Sequence, residues 1–172
     1  MTFPFLVNKV RSFGAAQTAK SLSLTTSSSS AAGQSRRSII TPLAFGGVQI
    51  RATFAADASL GWVCSHASVG QRSGSTAGTV ATPVEFLFSG TAGFSIGANA
   101  TIVSDWLTFS TSAGDSLLVT MDITSGGFKY DAVDAGGYSQ ATNPFYNNSS
   151  ASGWSSAPNE YGSTLVEVRG IV

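Results

Sequence analysis

Alternation of apolar and polar positions is the clearest signal in this chain. Val48, Ile50, Ala52 and Phe54 alternate with Gln49, Arg51 and Thr53, a period of two that puts one face of a strand on a core and the other towards solvent. Val84, Phe86 and Phe88 read the same way around Glu85 and Leu87, as do Leu117, Val119, Met121 and Ile123, with Thr120 and Asp122 facing out. Leu60 to Val69 is a less cleanly patterned strand, and Phe94 to Ile96, Thr101 to Val103 and Trp106 to Phe109 are shorter ones. Phe128 to Val133 is placed to pair with the Leu117 strand across Ser125-Gly126-Gly127, a hairpin-type connection. A last strand runs from Ser163 to Val172. No window carries a sustained helical period. Seven or eight short strands separated by turn signals predict an all-β fold, an antiparallel β-sandwich or jelly roll.

The segments outside this pattern divide the chain. Residues 1–37 read as an extended basic arm, and residues 38–172 as the sandwich domain. Within the arm, the run from Ser21 to Ala32 (SLSLTTSSSSAA) has too little apolar surface to offset its ordering entropy, which predicts a mobile linker. Residues 134–162 form a long loop that holds Tyr138, Phe145, Tyr146, Trp154 and Tyr161 among Asn, Ser and Gly. Disordered loops lack aromatic residues, so this one is expected to pack or to bind.

Composition sharpens the picture. The 172 residues suffice for one sandwich-sized core, and only 10% are charged, against roughly 25% in an average soluble domain. Solubility therefore falls to Ser, Thr, Asn and Gly. Charge is also unevenly spread: residues 1–56 hold six of the nine bases and no acid, leaving three bases against nine acids beyond them. A basic arm on an acidic body suits head-to-tail pairing or an acidic neighbour, and Phe3, Phe5, Lys9, Arg11, Lys20, Arg36 and Arg37 are the candidate assembly residues. Six charges over fifty-six residues without a tight cluster argue against nucleic acid. The apolar run Phe3 to Val7 is too brief for a secretory segment, and no stretch approaches membrane-helix length.

Candidate chemistry is thin. Gly114-Asp115-Ser116-Leu117 spells the GDSL string of serine esterases, but a serine nucleophile needs a base, and the single histidine, His66, lies fifty residues upstream in a strand. Neither cofactor nor metal is expected: zinc would need several Cys, His or carboxylate ligands at short spacing, and Asp131, Asp134 and Asp122 read as turn and strand residues before they read as calcium ligands. Cys64, alone, reads as a small buried hydrophobe. The long loop offers the one binding constellation. Trp154, Tyr138 and Tyr146 could present rings to a sugar, with Asn147, Asn148 and Asp134 as hydrogen-bonding partners. The competing reading has these rings covering the sandwich or a subunit contact.

Residues 48–123 resemble the accessory β-sandwich that precedes the catalytic domain in SGNH/GDSL-type esterases. The resemblance rests on VQIRATFAA (48–56), VCSHASVGQR (63–72), TPVEFLFSGTAGFSIGANATIVSDWLTF (82–109) and AGDSLLVTMDI (113–123), above all on the phenylalanine-glycine turn, the short strand, the small-residue turn and the Ser104-Asp105 step into the next strand. The nucleophile of those enzymes lies elsewhere, so the resemblance gives Ser116 no catalytic role. In its size and Ser/Thr-rich arm the chain is also similar to small sandwich proteins of tailed-phage particles, decoration proteins and tail adhesins. That likeness implies a non-catalytic virion protein, self-associating or bound to capsid or tail proteins through its arm, with a surface glycan as an alternative partner.

Overall fold

The computed structural model describes residues 14–24, 26–27, 32–131, 136–157 and 160–170. It is all-β, and every strand pairing within it is antiparallel. One sheet runs β1 (Gln17–Ser21), β17 (Ser163–Arg169), β4 (Gly47–Ala55) and β10 (Thr101–Val103), with β11 (Leu107–Thr111) also on β4. The other runs β15 (Ser155–Ala157), β14 (Gly137–Gln140), β3 (Gln34–Ile40), β12 (Leu117–Gly126), β5 (Trp62–Gln71) and β6 (Val84–Glu85), with β9 (Phe94–Ile96) also on β5. Two small ladders complete it: β16 (Glu160–Tyr161), β13 (Lys129–Asp131) and β2 (Thr26–Ser27), and the pair β7 (Leu87–Phe88) and β8 (Thr91–Ala92).

The core lies between the two large sheets and follows from the alternation. β4 sends Ile50, Ala52 and Phe54 inward, each 0% exposed, while β12 contributes Leu117, Val119, Met121 and Ile123. Phe54 sits at the centre of an aromatic cluster, with ring centroids 5.4–6.1 Å from Trp62, Phe86, Phe88 and Phe94 in mostly edge-to-face contacts. Burial of each such ring stabilises by about 1.5–3 kcal/mol, and the edge-to-face geometry adds to it. The Ser104-Asp105 step is a structural clamp. The Asp105 carboxylate accepts from the amides of Ser89 (3.2 Å) and Gly90 (2.7 Å), and Ser104 Oγ accepts from Ala52 N at 3.1 Å.

Four expectations are corrected. Arg36 and Arg37 do not belong to an arm: they lie inside β3, between β12 and β14, so the boundary at 37/38 cuts a central strand. Lys20 is likewise in β1, paired with β17. The Ser-rich run is anchored at its start, because Leu22 and Leu24 are 5% and 6% exposed in the core. The segment after Gly127 does not fold back on β12, since Lys129–Asp131 pairs with Thr26–Ser27 and Glu160–Tyr161. Phe3, Phe5, Lys9, Arg11 and Asp134 lie outside the described residues.

Candidate functional site

Thr120 and Asp122 do point away from the main core, as alternation requires, yet both are fully buried. The cover is the loop after β14 together with the turn 73–81, and Arg37 and Asp122 hold it there. Arg37, 0% exposed, donates from Nε to Thr120 Oγ1 (2.8 Å), from one terminal nitrogen to Ala77 O, and from the other to Asn148 O (2.8 Å). Asp122 accepts from Ser35 Oγ and from the amides of Phe145 (3.0 Å) and Tyr146 (3.1 Å). Burial lowers the Arg37 pKa to about 10 against the opposing pull of Asp122 and Tyr138, so the guanidinium stays charged at neutral pH.

The expected ring platform is spent on the same task. Trp154 lies 4.1 Å over the Arg37 guanidinium and meets Phe145 edge-on at 5.9 Å. Tyr138 is 8% exposed, accepts from Arg72 at 2.7 Å and donates to Ser75 O. Tyr146 stacks on the His66 ring at 4.1 Å, and His66 Nδ1 meets Glu85 Oε1 at 2.6 Å. Asn148 gives its carbonyl to Arg37 and its side chain to Ser150 N, while Asn147 is exposed. The structure thus gathers Trp154, Tyr138 and Asn148 around Arg37, places Tyr146 apart against His66, and uses the rings to fasten a cover.

Sequence reasoning gave no role to Arg37 or Asp122 at this centre. A buried Arg beside Thr120 would have needed knowledge of carbonyls forty and more residues away in sequence, which no local pattern supplies.

The GDSL string spans the turn before β12 and the first residue of that strand, Leu117. The register sets Leu117 against Gln71 and Asp122 against His66, and the Arg72 amide bonds Ser116 O at 2.9 Å. Ser116 and His66 are therefore about six residues apart along paired strands, roughly 20 Å, and Ser116 Oγ is buried. Asp115 caps its own turn by accepting from Ser112 N at 2.8 Å. Cys64 is 1% exposed, and burial pushes its thiol pKa up. Among the described residues there is no group of three or more His, Cys, Asp or Glu able to hold a metal, and no helix long and apolar enough to cross a membrane. A groove of about 550 Å³ opens between residues 44–48 and 110–113, and among the described residues no titratable side chain lines it.

On the outer face of the β4 sheet a second arrangement stands apart. Arg51 and Glu167 pair across β4 and β17 at 2.8 Å, Arg169 Nε donates to Gln49 Oε1 at 2.7 Å, and both guanidiniums lie against the Trp106 ring, at 4.6 and 4.2 Å. The sequence signal was available in part: Gln49 and Arg51 are the polar half of the strongest alternation, and Trp106 stands just before β11, the strand that folds back on β4.

No protein-family model matches the chain, and no curated protein matches it. Among solved structures it is similar to the cysteine protease and lectin-like domains of Cwp84, a surface layer associated protein of Clostridium difficile, with a TM-score of 0.47 and 8% identity. That likeness covers 79% of this chain and 32% of that one, so the chain spans about a third of the matched structure's length.

Proposed function

We propose that this chain is a non-catalytic structural module of a larger particle, a bacteriophage virion being the setting its size and composition suit, and that it docks through the segment ahead of β1. The supporting observation is the position of β1. It ends its sheet: β17 is its strand partner, and among the described residues no strand pairs with its other edge. Gln17 and Thr18 are exposed there, where the residues carrying Phe3, Phe5, Lys9 and Arg11 join the fold. That edge carries one main-chain contact, the Ala44 amide donating to Ala19 O at 2.8 Å, and its Gln17 end, next to an apolar, basic segment, is suited to strand addition on a partner.

The test is incorporation. The full chain should sediment with intact virions purified from its natural source, whereas a copy beginning at Gly14, supplied in trans, should fold with an unchanged thermal midpoint and stay off them. A copy beginning at Ser38 is not a fair comparison, because it lacks β1 and half of β3. Full incorporation of the Gly14 copy overturns the docking role, and absence of the full chain from particles overturns the virion setting.

The non-catalytic half of the reading rests on the distance between Ser116 and His66. Short acyl esters should be turned over no faster than by buffer, and Ser116→Ala should leave folding unchanged. A reproducible esterase rate abolished by that substitution would refute it. Sugar recognition, the other expectation, is not favoured by the long loop, whose rings are engaged with Arg37, Arg72 and His66.

A further inference from the structure

The groove between residues 44–48 and 110–113 lies at one end of the β4 sheet, where the backbones of β4, β11 and β17 converge. A Cβ on Gly46 would stand 2.5 Å from Thr111 O, and one on Gly47 would stand 2.7 Å from Arg169 O. Glycine lets the chains approach this closely, and the groove has a floor of main chain. Val48 continues the inward alternation of Ile50 and Phe54 but is only half-buried. Phe45, also on the groove, is 45% exposed, more than any other phenylalanine or tryptophan among the described residues. A volume of about 550 Å³ has the size of a small-ligand site and admits a few apolar side chains.

The sheet register shows what can reach it. Gln17 opens β1 opposite Val168, and the Val168 Cβ lies 3.0 Å from the place a Gly47 side chain would take. β1 therefore begins two strand spacings from the groove, about 10 Å, at the same end of the sheet. Residues 8–16 separate β1 from the apolar run Phe3-Pro4-Phe5-Leu6-Val7, and at about 3.3 Å per residue they cover that distance with chain to spare. So short a tether holds the run at an effective concentration in the millimolar range, and even a weak apolar contact is then filled from within the chain before a second copy competes. Charge agrees. Asp115 accepts from the amide of Ser112, on the groove wall, at 2.8 Å, and Lys9 and Arg11 follow the apolar run.

We propose that the groove is the docking site of the chain's own amino-terminal run, with Phe3 and Phe5 beside Phe45 in the free molecule, so that the segment ahead of β1 is latched until a partner displaces it. The latch belongs to the free chain and the docking role to the particle, so either can fail without the other. The test is disulfide trapping in the full chain, with Leu6→Cys on the run and Ser112→Cys, an exposed position, on the groove wall. Cys64 does not compete, being 1% exposed with its thiol pKa pushed up by burial. Mild oxidation at micromolar protein should give a bond within one molecule, read as a monomer of altered mobility on a non-reducing gel. Its rate should fall at least tenfold when Phe3 and Phe5 are both replaced by serine. Phe45→Ser, at an exposed site that leaves the core untouched, should slow it as much. Bonds between molecules would make a second copy the occupant, and a rate indifferent to the ring substitutions would mean that the tether alone brings the thiols together. Either result, or the absence of any bond, overturns the proposal.

Discussion

Replacing Arg37 by methionine should remove about 3–5 kcal/mol of folding stability, the range for breaking a buried charge arrangement from one side. Three acceptors lose their donor at once: Thr120 Oγ1, Ala77 O and Asn148 O. Asp122, whose charge opposes that of Arg37, is then buried without that cation. Methionine fills much of the volume beneath Trp154, so the loss is polar in origin and not a cavity effect. Arg37→Lys should recover only part, because an ammonium is a point charge and cannot span the three positions of the fork. Urea unfolding measures it, and a loss below about 1 kcal/mol would mean that water replaces the guanidinium and the cover is not pinned as described.

Arg37 also marks the limit of what the sequence discloses. The strands around Phe54 and Met121 are legible because their apolar faces repeat every second residue and the core demands it. Arg36-Arg37 looks like the end of a basic arm, since a charged pair next to a Ser-rich tract has no local reason to be buried. The partners come from residues 77, 120 and 148, so only the folded chain supplies the reason. Asp122 and Thr120 show the same limit from the other side: a period of two separates the faces of a strand, but cannot tell whether the outward face meets water or another layer of chain. β1 escapes notice because its own residues carry little pattern, and β17 supplies the pairing.

The second large effect is expected at Gly126, and a matched control isolates its cause. Gly126 and Gly114 share a φ of +86°, a conformation that costs a residue with a Cβ roughly 1–2 kcal/mol. At Gly114 nothing lies within 4 Å of the added carbon, but at Gly126 it would meet Gly61 O at 1.8 Å, backbone against backbone. Gly126 is the last residue of β12 paired to β5, opposite Trp62, so relief requires the two central strands to separate beside the aromatic cluster. Gly114→Ala should therefore cost about 1–2 kcal/mol, and Gly126→Ala more than about 4 kcal/mol, enough to abolish soluble folded protein. Denaturation midpoints or soluble yields of the two variants decide the matter. Equal losses would show that dihedral strain alone acts at both.

The fastening of the loop after β14 has a consequence for how this chain can change. Its anchors grip main-chain atoms: Asp122 takes two amides, Arg37 takes the Asn148 carbonyl, and the Ser68 hydroxyl takes the Tyr146 carbonyl. Every residue except proline offers the same amide and carbonyl, so this part of the grip is blind to identity, whereas the ring positions Phe145, Tyr146 and Trp154 add contacts that depend on the side chain. Asn147, Ser149 and Ala151, all exposed, can be exchanged freely while the path of the backbone holds. The loop is in that sense a mount for interchangeable side chains, a place where new sequences can be tried on the surface of the fold without reopening the question of how it folds.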